Sequence, residues 1–399
     1  MVSGPHVDTD TQSSSTQRLP PEILMQVFSE CCSKQYDIQA SPPVVLSQVS
    51  WEWRSLALSM PVLWASFSLR LIWPNTDIRK LLRLHLERSA DCALSFDMDF
   101  NEAVSLPVLR LVSMLAEHSD RWAVVKLPFS APSIPLFSQL NSRFRRLESL
   151  ELKLATLNQD EAGNCAFFEV APRLRRLVLG ANISRGIPFP KDQITELHLG
   201  AAPTLDILQF MARCPCPHLT RLILNPHYPL KYPHNLPQSL PPFMHLRTLT
   251  LAIRDGYSRN QITEVLDLLT APVLQTLEVI GVREIRIPPR AFASFLERSG
   301  CSLQTLIISF KDNLPVPTLL INLRALPSLT RFVVMAHGQE AMQAVGLILQ
   351  SLNLSDSSNT HMLPIMTSFE LQTARFHPAL LDMVESRLPP HSDSSASKR

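Results

Sequence analysis

The sequence predicts an α/β protein: a short helical segment near the N-terminus, then a long βα solenoid with a curved parallel sheet. Three observations predict it. Two apolar stripes of helical period lie between residues 18 and 68. A strand-like pattern, Leu-x-x-Leu-x-Leu, then recurs at intervals of 20 to 29 residues, with a mean of 26. Helical stripes fill the gaps between those strands. The 33 prolines against 10 glycines fit the same picture, since prolines spread along a chain punctuate many short elements.

Residues 1–17 are polar and read as a disordered tail without an apolar signal core. In "LPPEILMQVFSECC", Leu19, Ile23, Leu24, Val27, Phe28 and Cys31 fall on one helical stripe. Pro20 and Pro21 suit the first turn, where missing N–H groups have no intrahelical partner, and Glu22 suits the positive end of the helix. "SKQYDIQASPP" reads as a polar connector. A second helical pattern follows through Val44, Val45, Leu46, Val49, Trp53, Leu56 and Ala57, and Pro61 ends it before Leu63, Trp64 and Phe67. A segment of this size is marginal as an isolated core, so stripes this dense are expected to be shared with a neighbour.

Read in order, Leu19, Pro20, Ile23, Leu24, Val27, Phe28, Leu46, Val49, Trp53, Arg54, Ala57, Pro61, Leu63 and Trp64 follow one pattern. With it, the segment 18–68 resembles the F-box in its fungal form. The connector Cys31–Pro43 is longer than in the compact animal form, and Ser50 and Trp51 stand where Cys and a basic residue are common. The resemblance implies three short helices that dock a Skp-type adaptor of an SCF ubiquitin ligase. The implied adaptor-binding residues are Leu19, Pro20, Ile23, Leu24, Val27, Phe28, Leu46, Val49, Trp53 and Trp64.

Beyond residue 68 the repeated strand starts at Leu147, Leu174, Ile194, Leu219, Leu246, Leu274, Leu303 and Leu329. "WAVVKL" from Trp122 extends the array backwards, and "TSFELQ" near Phe369 reads as its last strand. Helical patterns such as "LDILQFMARC", "QITEVLDLLT" and "GQEAMQAVGLILQSL" separate the strands, which predicts strand then helix at every step. The array, residues 69–388, resembles a degenerate leucine-rich repeat; its asparagine appears in place once, at Asn182. "HPALLDMVESRL" reads as a capping helix, and residues 389–399 as a disordered tail.

If the leucines point inward, alternate strand residues face the concave surface. Early repeats offer Lys126, Glu151, Lys153, Arg176, Glu196, His198 and Arg221; later ones offer Thr250, Glu278, Ile280, Ile307, Val333 and Met335. A polar half grading into an apolar half would suit a target protein, and the candidate groove is Lys153, Arg176, His198, Arg221, Glu278, Ile280, Ile307, Val333 and Met335. Coverage of the apolar half by loops or by the C-terminal segment is the other reading. "RFRRL" at Arg143 and "RLRRL" at Arg173 lie one repeat apart and should stack into a small basic ridge, either a solvated edge or a seat for an acidic partner.

Chemistry-bearing motifs are scarce. "CPCPH" gathers Cys214, Cys216 and His218, with His227 and His234 downstream, but Pro215 and Pro217 stiffen it and no second cysteine pair completes a zinc set, so it reads as a repeat turn without metal. "GYSRN" at Gly256 lacks the second glycine of a nucleophile elbow, and the chain has no G-x-G and no H-E-x-x-H. Asp97, Asp99 and Glu102 read as solvated carboxylates. An enzyme with its own active site or cofactor is therefore not expected. The net charge of +2 argues against nucleic acid or anionic membrane as partner. Seven cysteines without framework spacing point to a reducing compartment, cytosol or nucleus.

Together the parts read as a non-catalytic substrate-recognition adaptor of an SCF-type ubiquitin ligase. The F-box would hold the Skp-type adaptor and, through it, the cullin–RING ligase, while the solenoid holds a target. A leucine-rich-repeat binding scaffold with an F-box-like contact and no ligase role fits the same residues.

Overall fold

The computed structural model describes residues 19–70, 77–99, 106–129, 131–138, 144–154, 168–180, 188–226, 237–253, 261–281, 287–311, 314–339, 341–354, 362–373 and 375–388. Both expected tails, Glu102, Arg143, Asn182, His227, His234 and Gly256 lie outside them. The described residues form an α/β protein of thirteen parallel strands alternating with helices, in strand order equal to chain order. The chain divides into two compact units, up to Lys126 and from Leu127 onward.

The first unit opens with α1 (Pro21–Cys31). The Pro20 carbonyl accepts the first helical bonds, from the N–H groups of Ile23 and Leu24 at 3.0 and 3.2 Å. The second apolar pattern divides into α2 (Pro42–Leu46) and α3 (Trp51–Ser59). Ser50 makes the break: its backbone is extended and its hydroxyl accepts the Trp53 N–H at 3.2 Å, capping α3. A 3-10 turn, Pro61–Trp64, folds back so that the Trp64 indole N–H donates to the Ala57 carbonyl at 3.0 Å.

The expected polar connector is instead structured. It contains β1 (Tyr36–Asp37), paired with β2 (Ser66–Arg70), and a 3-10 turn over Ile38–Ala40. Ile38 is fully buried and the Tyr36 hydroxyl donates to the Leu63 carbonyl at 2.7 Å, so two side chains in a polar stretch suffice to anchor it. α4 (Asp77–Arg88), β3 (Leu94–Asp99), α5 (Leu106–Ala116) and β4 (Trp122–Phe129) follow. β2 spans the expected junction at residues 68 and 69, with Phe67 and Leu69 both buried.

Leu24, Phe28, Cys32, Ala57, Met60, Leu63 and Trp64 form one apolar core, and Leu84 of α4 packs on it. His85 of α4, fully buried, closes the joint. Its ring meets Trp64 at 5.3 Å and Phe67 at 5.6 Å, Nε2 lies 3.0 Å from the Ser41 hydroxyl, and Nδ1 lies 2.9 Å from the Leu81 carbonyl. A neutral ring satisfies both bonds, donating from Nδ1 and accepting at Nε2. The small helical segment thus completes its core with α4, as its size requires.

In the second unit come α6 (Ile134–Ser138), β5 (Ser149–Leu154), β6 (Arg176–Leu179) and β7 (Glu196–Ala202), then α7 (Thr204–Arg213), β8 (Arg221–Pro226) and β9 (Thr248–Ile253). α8 (Gln261–Leu268), β10 (Thr276–Gly281), α9 (Pro289–Ser299), β11 (Thr305–Phe310), α10 (Val316–Arg324), β12 (Arg331–Ala336), α11 (Ala341–Leu352), β13 (Ser368–Thr373) and α12 (Ala379–Arg387) complete it. Every strand from β5 to β12 begins two residues after a leucine or isoleucine that the repeat period picks out, and those eight side chains are buried. Helix at every step is too simple. Between β6 and β7, the shortest interval, the described residues hold only a 3-10 turn, Lys191–Gln193, which spans its residues in less chain than an α-helix needs.

Six of the strands, β6, β8, β9, β10, β12 and β13, are entered through a tight turn. The N–H of Leu174, Leu219, Leu246, Leu274, Leu329 and Met366 donates to the carbonyl three residues earlier at 3.1 to 3.3 Å. Pro172, Pro217, Pro272, Pro327 and Pro364 occupy the second position of these turns, whose φ their rings already hold. The motif is an apolar or small residue, Pro, any residue, then Leu or Met. Arginines close helix ends from the following repeat: Arg121 donates to Cys92 and Leu86 carbonyls in the first unit, Arg298 to Leu269, and Arg387 to Leu352 and Met362.

Burial pushes His85 down from 6.5 to about 4, against a smaller opposing effect of its bond to Leu81. The unfolded chain therefore takes up this proton first, and stability falls as pH drops from 6.5, levelling out below about 4. The loss is on the order of 3 kcal/mol. Urea midpoints measured in steps across this window should show a steeper slope for wild type than for His85→Phe.

Candidate interaction surfaces

On α1 the expected single stripe resolves into two rows. Leu24 and Phe28, four residues apart, point into the core; Ile23 and Val27, also four apart, are 45% and 43% exposed. Leu19 continues the outer row, Pro20 is exposed beside it, and Met25 is exposed as well. Of the other residues the resemblance singled out, Trp64 lies in the core, Leu46 and Trp53 are half-buried against it, and Val49 is exposed. The Trp53 ring meets Phe28 at 5.0 Å.

The adaptor-binding set implied by the resemblance leaves out Val45, Trp51 and Val62, whose side chains are also exposed, Trp51 by 77%. The signal was present: Trp51 and Val62 fall off the phase that carries Ala57 and Leu63 inward. α1, α2 and α3 pack on one another, so these apolar side chains belong to one small helical layer. Burying a large apolar side chain gains on the order of 1.5–3 kcal/mol, and each exposed one forgoes it in the free chain.

In the second unit the register fixes which side chains share a row. Glu151, Val178, His198 and Ile223 align across β5 to β8, and Thr250, Glu278, Ile307, Val333 and Glu370 continue the row to β13. Arg176, Glu196, Arg221, Thr248, Thr276, Thr305 and Arg331 form the row before it. Ile280 and Met335 lie in the row after it, and Lys153 holds the corresponding position two residues beyond Glu151. All nine expected groove residues therefore lie on the same sheet face, opposite the leucines. Lys126 belongs to β4 of the first unit.

The charge pattern differs from the expected gradient. Val178 and Ile223 flank His198 in the early repeats, and an Arg331–Glu370 ion pair at 2.9 Å stands at the late end. Glu196 lies between two arginines, 3.2 Å from Arg176 and 3.9 Å from Arg221. The Thr250 hydroxyl donates to Glu278 at 2.9 Å, while Val333 is only 2% exposed between Ile307 and Glu370. The bond from Arg331, with a second from Gln372, holds the Glu370 carboxyl below its ordinary value. The surface is thus a mixed one, with small apolar patches between ion pairs.

The Cys214–His218 cluster is part of the repeat. Cys216, Pro217, His218 and Leu219 form the entry turn of β8, and the Cys216 thiol donates to the Cys214 carbonyl. Burial pushes Cys216 up to about 12, and Cys214 up as well. Among the described residues no three His, Cys, Asp or Glu side chains converge, and no helix is long and apolar enough to cross a membrane.

The two tryptophans of α3 should separate core from surface. Trp53→Ala should destabilise the protein by about 2 kcal/mol, less than a fully buried tryptophan would. Trp51→Ala should stay within about 0.5 kcal/mol of wild type. Chemical denaturation of the two variants checks both values.

No protein-family model matches the chain, and no curated protein matches it.

Proposed function

We propose that the chain is the substrate-recognition adaptor of an SCF-type ubiquitin ligase. The observation that carries this reading is the double row on α1. A helix that buries Leu24 and Phe28 in its own core while presenting Leu19, Ile23 and Val27 outward has an apolar face to spare. That face lies in the segment that resembles an F-box, whose corresponding residues meet a Skp-type adaptor. Val49 adds to it, while Trp53, Leu46 and Trp64 act from beneath by holding the helices in place.

The repeat unit would then hold the target on its open sheet face. A stack of parallel strands in fixed register orients a bound protein better than a flexible linker does. The chain's contribution is positional: it raises the effective concentration of a target lysine at an enzyme carried by the cullin–RING partner. No bond is made or broken by this chain in that scheme.

The test uses exposed residues only, so that folding is spared. Full-length wild type should co-purify with a Skp-type adaptor and a cullin, and Ile23→Asp with Val27→Asp should lose both while keeping its circular dichroism. Failure of folded wild type to recover any adaptor sinks the proposal. Recovery of adaptor without cullin, under conditions where a known ligase subunit recovers both, removes the ligase role.

A further inference from the structure

The exposed apolar side chains of the second unit gather in its last repeat. Ile365, Phe376, Leu381, Val384 and Leu388 are exposed there, as many large apolar side chains as all the described residues from 127 to 364 expose. β13 shares in this opening. In the three strands before it the inward pairs, Leu277 and Val279, Leu306 and Ile308, Phe332 and Val334, are buried. Phe369 and Leu371 hold the same positions in β13 and are only half-buried. α12, read from the sequence as a cap, packs on α11 with Met383 as its one buried residue, and Arg387 donates to the Leu352 carbonyl at 3.0 Å. It prolongs the helical layer and leaves the inward pair of β13 half-open.

β13 is also the edge of the sheet: among the described strands it pairs with β12 alone. The Ser368 N–H donates to the Thr330 carbonyl at 3.0 Å, so the alternation of a parallel ladder turns the N–H and C=O groups of Phe369, Leu371 and Thr373 away from β12. Edges are usually blunted by Lys, by Pro or by a shortened strand. Ser368–Thr373 has neither residue and is as long as β9 to β12. The neighbouring segments of sequence outside the described residues, 355–361 and 389–399, hold Ala396 and two prolines and no larger apolar side chain, so they offer no cover for this end.

We propose that β13 and α12 seat the same two elements of a second copy of this chain. A two-fold axis perpendicular to the sheet keeps both helical layers on one side and runs the two β13 strands antiparallel. Centred on Leu371, it pairs Phe369 with the second copy's Thr373 and Leu371 with its own counterpart, so all three outward backbone positions are used. The same register sets Glu370 opposite the second copy's Gln372, twice over. These two side chains are already matched within β13, where Gln372 donates to Glu370 at 2.7 Å. Centring on Glu370 would instead oppose two carboxylates, which is unfavourable. On α12, Leu381, Val384 and Leu388 recur at three and four residues, so they line one exposed face and give the two helices an apolar contact of their own. A second copy supplies at once the open strand, the apolar face and the other half of each Glu–Gln pair. The proposal rests on the second unit alone, and not on adaptor docking.

The test therefore needs no Skp-type adaptor. In sedimentation equilibrium the full-length protein should reach twice the mass of one chain and dissociate on dilution. Gln372→Glu, which sets Glu370 against a second carboxylate, should weaken the dimer at least about tenfold while keeping the circular dichroism of wild type. Adding Glu370→Gln exchanges the two partners and should restore the dimer to within about threefold of wild type. Leu381→Asp with Leu388→Asp, both at exposed positions, should weaken it at least about tenfold by a separate route. Ile23→Asp with Val27→Asp, in the first unit, should leave it within about twofold. A wild type that stays monomeric overturns the proposal and leaves this end to a different protein or to another part of this chain. A dimer indifferent to both the Gln372 and the Leu381 variants also overturns it, as does one lost on changing Ile23 and Val27, which places the contact on α1. Failure of the exchanged pair to restore the dimer overturns the two-fold at Leu371. A monomeric wild type that still recovers the Skp-type adaptor rejects this proposal alone.

Discussion

One backbone oxygen per repeat sets the register of the second unit. The carbonyls of Glu148, Arg175, Thr195, Thr220, Arg247, Gln275, Gln304 and Thr330 each accept two N–H groups from the entry of the next strand, at 2.9 to 3.1 Å. Threonines add their hydroxyls at some steps, as Thr220 does to Thr195 at 3.0 Å. Strands so pinned at one end cannot slip by a residue, and a slip would turn every leucine to the open face. The proline-containing turn that delivers each residue to this position is the local half of the device; the shared oxygen is the half that neighbours supply.

Everything said of the sheet's open face follows from that register. It puts Glu196 between Arg176 and Arg221, sets Val178 and Ile223 on either side of His198, and buries Val333 between Ile307 and Glu370. Mixed surfaces of this kind give direction and selectivity to a contact rather than bulk affinity.

The first unit depends on a different joint, the buried His85. A neutral imidazole held between the Ser41 hydroxyl and the Leu81 carbonyl, among Trp64 and Phe67, ties α4 to a helical segment too small to close its own core. With that core filled from one side, the outer row of α1 stays exposed. Leu24 and Phe28 on one face carry the stability of this layer, and Ile23 and Val27 on the other contribute little to it.

The period of the leucines was enough to determine the parallel βα array, the place of every strand from β5 to β13, and the faces of their side chains, because a 26-residue repeat of that pattern has few other ways to bury itself. The helical stripes at residues 19–31 and 44–57 were legible from their period, the second without its break at Ser50. Four things belonged to the tertiary structure. The connector around Tyr36 and Ile38 looked polar because one buried aliphatic side chain and one half-buried tyrosine among eleven residues leave no period. β2 and β3 lack the Leu-x-x-Leu spacing and are held by aromatic contacts such as Phe67 on Phe96. The five turn prolines were read only as punctuation, since their common role appears when the repeats are superposed in register. And one stripe on α1 became two rows, because a period of 3.6 marks which residues are apolar, while only the packing of α3 and α4 decides which of them are covered.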